Sequence, residues 1–137
     1  MQNPDRRDQK EMQNIDELET VLYAGNLLLS SGAEIYRAEE TMSRIAESMN
    51  IKDLDAYVTN RGIFASGNVP GKGIETRIMS VPDKELNIDK IEAVNELSRE
   101  VCRNCTDLGY LRTALQKIAD VGEQKVSERI FSWSRLL

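Results

Sequence analysis

The hydrophobic positions of this chain change rhythm twice, and each change marks a new kind of element. From Ile15 to Leu29 the apolar and small residues Ile15, Leu18, Val21, Leu22, Gly25, Leu28 and Leu29 recur at three- and four-residue steps. That period predicts a helix with one buried face. Asn14 is a suitable N-cap with Glu17 as its reciprocal capping partner, and Ser30-Ser31-Gly32 supplies the stop. The stretch from Ser30 to Asn50 repeats the pattern. Ile35, Ala38, Met42, Ile45, Ala46 and Met49 share one stripe, while Glu34, Arg37, Glu39, Glu40, Arg44 and Glu47 lie on the other face. Ser31 and Glu34 stand at capping-box spacing, which gives Glu34 a structural role as holder of the helix start. The short connection makes the two helices a hairpin or a corner, and Ala24 and Gly25 are small enough for close approach.

Past Asn50 the period shortens. Ala56–Thr59 and Ile63–Ser66 read as strands separated by a tight Asn60-Arg61-Gly62 turn. Gly67 to Gly73 reads as a second loop, and Ile74 to Val81 as a third strand stopped at Pro82. A three-stranded antiparallel meander is the economical arrangement, with one face laid on the helices. The helical period then returns. A third helix starts near Asn87 or Ile88, with Ile91, Val94, Leu97, Ser98, Val101 and Cys105 inward and Asn95 beside that stripe. A buried Asn95 amide would need partners. Thr106 can cap a fourth helix carrying Leu108, Leu111, Leu115, Ile118 and Ala119 inward, ended by Gly122. The fold class is therefore α+β: an N-terminal helix pair, the meander, then two to three C-terminal helices. Residues 1–14 form a flexible lead-in, 15–122 the α+β domain and 123–137 an amphipathic helix. That last segment holds Val126, Ile130, Phe131, Trp133, Leu136 and Leu137 among Arg129 and Arg135. Such a mixture suits a helix meeting a membrane interface, and equally one that docks on the domain or on a second copy.

Composition narrows the chemistry. The 137 residues fit one domain with a real core, 40% of them apolar but only 5% aromatic. The net charge of −5 and the scattered Lys and Arg offer no groove for nucleic acid. The chain contains no histidine, which excludes a histidine-based triad or a histidine-ligated zinc. Met1–Gln13 is polar and shows no secretory signal, and no apolar run approaches the roughly 18–20 residues of a membrane span.

Three groupings bear on function. Gly67–Gly73 resembles a phosphate loop only faintly: the spacing is one residue short, Gly73 replaces Ser or Thr, and a strand follows. Cys102-Arg103-Asn104-Cys105 lacks the second pair a structural zinc needs and falls at a helix end, so it reads as two reduced thiols. The third grouping is the charged face of the second helix. Glu34, Arg37, Thr41 and Arg44 form one strip with Glu40 alongside. Charge pairs at those steps stabilise a helix by about 0.2–0.5 kcal/mol, which alone would explain them. The functional alternative is a carboxylate–guanidinium site in which Arg37 grips a substrate carboxylate. Thr59, Arg61 and Arg77 would complete it if the sheet covers this face. No metal or cofactor is expected from these residues, and none has an assigned catalytic role.

Four segments, G-A-E-I-Y-R-A-E-E-T at 32–41, V-T-N-R-G-I-F-A-S at 58–66, T-R-I-M-S-V-P at 76–82 and I-D-K-I-E-A-V-N-E-L-S-R at 88–99, stand in an order that resembles the N-terminal domain of the threonine/serine exporter family. The resemblance covers about Leu18 to Arg99. It implies a hydrophilic domain on the cytosolic side of the cell membrane, followed in fuller proteins by membrane spans, with a second, smaller membrane protein as partner in some members. The implied activity is export of threonine, serine or another small carboxylate. The motif positions it carries over are Gly32, Glu34, Tyr36, Arg37, Glu39, Glu40, Thr59, Gly62, Arg77 and Asn95; Asn60 and Arg61 depart from its pattern. The expected substrate-binding set is Glu34, Arg37, Glu40, Thr59, Arg77 and Asn95, with Arg37 on the carboxylate, Glu34 and Glu40 balancing charge, and Thr59 and Asn95 supplying neutral hydrogen bonds. The spans themselves are missing, so 123–137 would lead towards the first of them. Two other readings stay open. One is a hydrolase-like enzyme using Glu34 and Glu40 as a carboxylate pair. The other is an interaction module in which helix faces and the Phe131–Trp133 tail build a homo-oligomer.

Overall fold

A computed structural model describes residues 16–104 and 107–120. Among them the chain forms α1 (Glu17–Ser30), α2 (Ile35–Ser48), β1 (Lys52–Val58), β2 (Gly62–Val69), β3 (Gly73–Ser80) and α3 (Ile88–Asn104). A fourth helix, α4, spans 108–120. The strands form one antiparallel sheet in the order β1-β2-β3, so the expected α+β meander is the observed architecture. The lead-in with Asn14, Cys105, the Thr106 cap, the Gly122 stop and the segment 123–137 lie outside the described residues.

α1 is the element that the other layers share. Nine of its 14 residues are buried, because it packs against α2, α3, β2 and β3 at once. From the sheet, Ile63, Ala65 and Val69 on β2 meet it, with Ala56, Val58 and Met79 alongside. From the helices come Met42 and Ile45 of α2, Val94 and Val101 of α3, and Leu111 and Leu115 of α4. Gly25 sits where α1, α2 and β2 converge. A Cβ built on it would lie 2.5 Å from Met42 Sδ and 3.2 Å from Ile63 Cδ1, so the absent side chain is what lets the helices approach.

The ends of these elements differ from local expectation in physically clear ways. α1 is capped by Asp16, whose Oδ1 accepts the Glu19 N–H at 3.1 Å, so the expected Asn14–Glu17 pair is not what starts it. The Ser31–Glu34 box does not form either. Glu34 is the N-cap of α2 without a side-chain bond, and Ser31 is instead the buried C-cap of α1. Gly32 takes φ +93°, the left-handed turn expected after a helix. Gly67–Val69 belongs to β2, which shrinks the expected 67–73 loop to the tight turn 70–72. β1 begins earlier than its alternation suggests because the register slips between Lys52 and Asp55, where Asp53 has φ 54°. The 81–87 connection is laced to the end of α1: the Glu85 and Asn87 amides donate to the Ser30 and Ser31 carbonyls, each at 2.9 Å. Asn87 then caps α3 by accepting the Lys90 N–H at 3.1 Å.

The closest ion pair between the sheet and α1 is made by Arg77, with a longer one from Lys72 in the 70–72 turn to Glu17 at 3.8 Å. Arg77 lies on the inner face of β3, and its Nε and Nη2 reach Asp16 Oδ2 at 2.6 and 2.5 Å. Its Nη1 donates to its neighbour's carbonyl, Thr76 O, at 2.8 Å and Nη2 also meets Glu75 Oε2 at 3.0 Å. Asp16 thus caps a helix with one oxygen and holds a strand with the other. Burial pushes its carboxyl up, but the Glu19 amide and the Arg77 guanidinium outweigh that and hold it below its usual range. The Arg77 proton is correspondingly harder to remove, first through the bond to Asp16.

Two outcomes follow. Gly25→Ala should lower stability in urea unfolding by about 1–3 kcal/mol through overpacking against Met42, despite the gain of about 1 kcal/mol in helix propensity; a neutral or stabilising result would show that Met42 yields freely. The Asp16–Arg77 tie contributes stability that is full above the carboxyl's ordinary value of about 3.9 and is lost as pH falls through its depressed folded value. Asp16→Asn keeps the capping oxygen, so it should cost about 0.5–1 kcal/mol at neutral pH and flatten the loss of stability below about pH 4.

Candidate functional site

The apolar stripe of α2 fixes where its polar residues go. With Ala38, Met42, Ile45 and Ala46 buried, the remaining helix surface divides into an arc against α3 and an arc facing water. On the α3 side the contacts are specific. Thr41 is buried, and its Oγ1 donates to Asn95 Oδ1 at 3.2 Å. Arg44 Nη1 donates to Ser98 Oγ at 3.0 Å, and Ser98 Oγ donates to the Asn95 carbonyl at 2.7 Å. The Cys102 thiol donates to the Arg44 carbonyl at 3.2 Å. Thr41 and Arg44 are one turn apart, as are Asn95, Ser98 and Cys102, so two helical strips meet as a polar seam. Each buried member has a partner, which avoids the cost of about 1–3 kcal/mol for an orphaned polar group. Arg44 Nη2 also reaches back to Glu40 Oε1 at 3.3 Å, linking the seam to the outer arc.

The outer arc carries Glu34, Arg37 and Glu40, all exposed. Arg37 makes no ion pair within 4 Å among the described residues. The neighbouring Tyr36 hydroxyl first, then Glu34 and Glu40, favour its charged form. The sheet does not cover these side chains, as the expected completion of the site by Thr59, Arg61 and Arg77 would require. The sheet rests mainly on α1 and meets α2 chiefly through β1, on the buried side of that helix, so this arc stays open.

The remaining expected residues have partners elsewhere. Thr59 organises the first hairpin turn: its Oγ1 accepts the Gly62 and Arg61 amides at 3.1 and 3.3 Å and donates to the Gly62 carbonyl at 3.0 Å. Arg77 is held by Asp16 and Glu75. Asn95 alone of the distant residues joins α2, through Thr41. Residue spacing missed Ser98 as a polar partner because it falls on the inner stripe of α3. The signal was there in Asn95, Ser98 and Cys102, which repeat the steps of the strip on α2.

Other reactive groups are quiet. Cys102 is free and exposed; burial pushes its thiol up, only partly offset by Arg44, which does not favour a reactive thiolate. Tyr23 is pushed up by burial, with the Arg112 guanidinium 4.6 Å over its ring. Tyr110 is pushed up chiefly by donating to Glu100 at 3.0 Å. A cleft of about 190 Å³ is lined by Glu96, Arg99, Glu100, Arg103 and Asn104 on α3. Among the described residues no group of three or more acidic or cysteine side chains is placed to hold a metal ion. Glu34 and Glu40 are both exposed, and Glu40 is paired with Arg44 at 3.3 Å. The turn at 70–72 leads into a strand and offers no helix N-terminus to a phosphate.

What the arrangement offers is an alternating carboxylate–guanidinium–carboxylate face backed by a polar seam. Such a face can hold a small zwitterion or an opposite charge on a partner. Among the described residues no helix is long and apolar enough to cross a membrane. No curated protein and no solved structure matches the chain. The family model ThrE, described as "Putative threonine/serine exporter", matches residues 19–130. That match spans α1, α2, the whole sheet, α3 and α4, and the chain therefore belongs to the threonine/serine exporter family.

Proposed function

We propose that the chain is the cytosolic, extramembrane domain of a threonine/serine or small-carboxylate exporter, and that the open arc of α2 captures or senses substrate beside the transport path. The observation that carries this reading is the order Glu34–Arg37–Glu40 on one exposed helix face, each one turn from the next. An amino acid presents a carboxylate and an ammonium separated by one carbon. Arg37 would pair with the first, and Glu34 or Glu40 with the second. Asn95 and Thr41 would link occupancy to the seam with α3, because Arg44 joins Glu40 on the arc to Ser98 behind it. Membrane-spanning parts of the transporter, and in some assemblies a second small membrane protein, would supply the bilayer path. A polar domain of this kind cannot supply it alone.

An open face of this sort supports weak binding, in the millimolar range or about −4 kcal/mol. Titration calorimetry of the 137-residue chain with threonine, serine and succinate checks it. Heat with threonine and serine, weakened by about tenfold or more in Arg37→Gln, is the expected result. No heat and no thermal shift with any of the three at millimolar ligand rejects substrate capture by this domain.

A further inference from the structure

The outer face of the sheet is unusually apolar for a surface turned to water. Cross-strand pairing places Tyr57, Phe64 and Ile78 in one row over β1, β2 and β3, and Ile74 lies on the same face of β3. Ile74, Ile78 and Tyr57 are 80%, 75% and 72% exposed, and Phe64 is 40% exposed. Tyr57 and Phe64 already touch, with ring centroids 6.3 Å apart. Together these side chains present on the order of 500 Å² of apolar surface, at the upper end for a monomer.

We infer that this face pairs with the same face of a second copy of the chain, about a two-fold axis running along β2. Three observations point to that occupant. First, the area fits: with the Ser66, Asn68 and Thr76 border added, the face approaches the about 800 Å² per partner of a standard interface, at its weak end. Second, the charge fits. The outward charges of the sheet, Lys52 and Asp55, lie on β1 with Asp53 at its bulge, while the outward positions of β3 are Ile74, Thr76, Ile78 and Ser80. One lysine beside two aspartates is a poor lining for an anionic bilayer. An axis along β2 sets β1 of one copy over β3 of the other, so no charge faces its like. An axis across the strands would set β1 on β1 and Asp55 near its counterpart. Third, the register fits. Under the chosen axis Tyr57 lies over Ile78 of the second copy, the Lys52 stem covers Ile74, and Phe64 meets Phe64 at the centre. Sheets stacked this way pack about 10 Å apart with strands within about 30° of parallel.

Sedimentation of the 137-residue chain from micromolar to millimolar concentration tests the inference. A reversible dimer should form, weakened by about tenfold or more in Ile78→Asp and in Phe64→Asp and kept in Leu86→Asp, an exposed leucine off the sheet. Melting curves check folding, since each side chain replaced is exposed. Independently, Phe64→Cys in a Cys102→Ser, Cys105→Ser background should be joined into a symmetric dimer by a short bis-maleimide crosslinker, which spans the about 10 Å between stacked sheets where a direct disulfide would not, and Glu92→Cys in the same background should not. A monomer at all concentrations overturns the inference, as does a dimer that survives both aspartate variants. A monomer that binds phosphatidylcholine vesicles through Ile78 replaces it with a bilayer contact.

Discussion

The close approach of α1 to α2 at Gly25 is the constraint on which this fold turns. A helix enclosed by three other helices and a sheet keeps little free surface, and its apolar residues must reach partners in several directions. That is possible here because the crowded point carries no side chain, so Met42 and Ile63 can fill the space a Cβ would take. Once α1 is enclosed, the other layers are set. The sheet can cover only one flank, α3 and α4 take what remains, and the charged arc of α2 is left facing out.

The polar groups follow the same logic at two levels. Asp16 and Arg77 lock the sheet to the start of α1 at a partly buried place where the carboxylate is held ionised. The seam of Thr41, Arg44, Asn95 and Ser98 locks α2 to α3 through neutral bonds and one guanidinium. The first is sensitive to acid and the second is not built on a titrating carboxylate, so the two junctions respond to different conditions. On the arc of Glu34, Arg37 and Glu40 the pair of Glu40 with Arg44 is the one tie back to the seam among the described residues, and the arc is the exposed part of α2.

How much of this was legible depended on whether the cause was local. The inner stripe of α3, from Ile91 to Val101, was readable because a strong helical period admits one buried face. The meander was readable for the same reason at period two. The start of α1 was not. Asn14 and Asp16 are both good caps, and what favours Asp16 is Arg77, 61 residues away. The beginning of β1 was hidden by its bulge, which breaks the alternation that announces a strand. For the site, spacing correctly placed Thr41 and Arg44 on one strip. It could not say that α3, rather than the sheet, covers that strip, because periodicity reports which residues share a face and not what lies against it.

The lacing of the 81–87 connection has a dynamic consequence. Its amides at Glu85 and Asn87 end on carbonyls at the last turn of α1, the most enclosed helix of the fold. Hydrogen exchange at those two positions should therefore follow the opening of α1, slow and cooperative, although they sit in an irregular exposed segment. A connection without regular structure would then behave as part of the rigid centre, transmitting any displacement at the start of α3 directly to the end of α1.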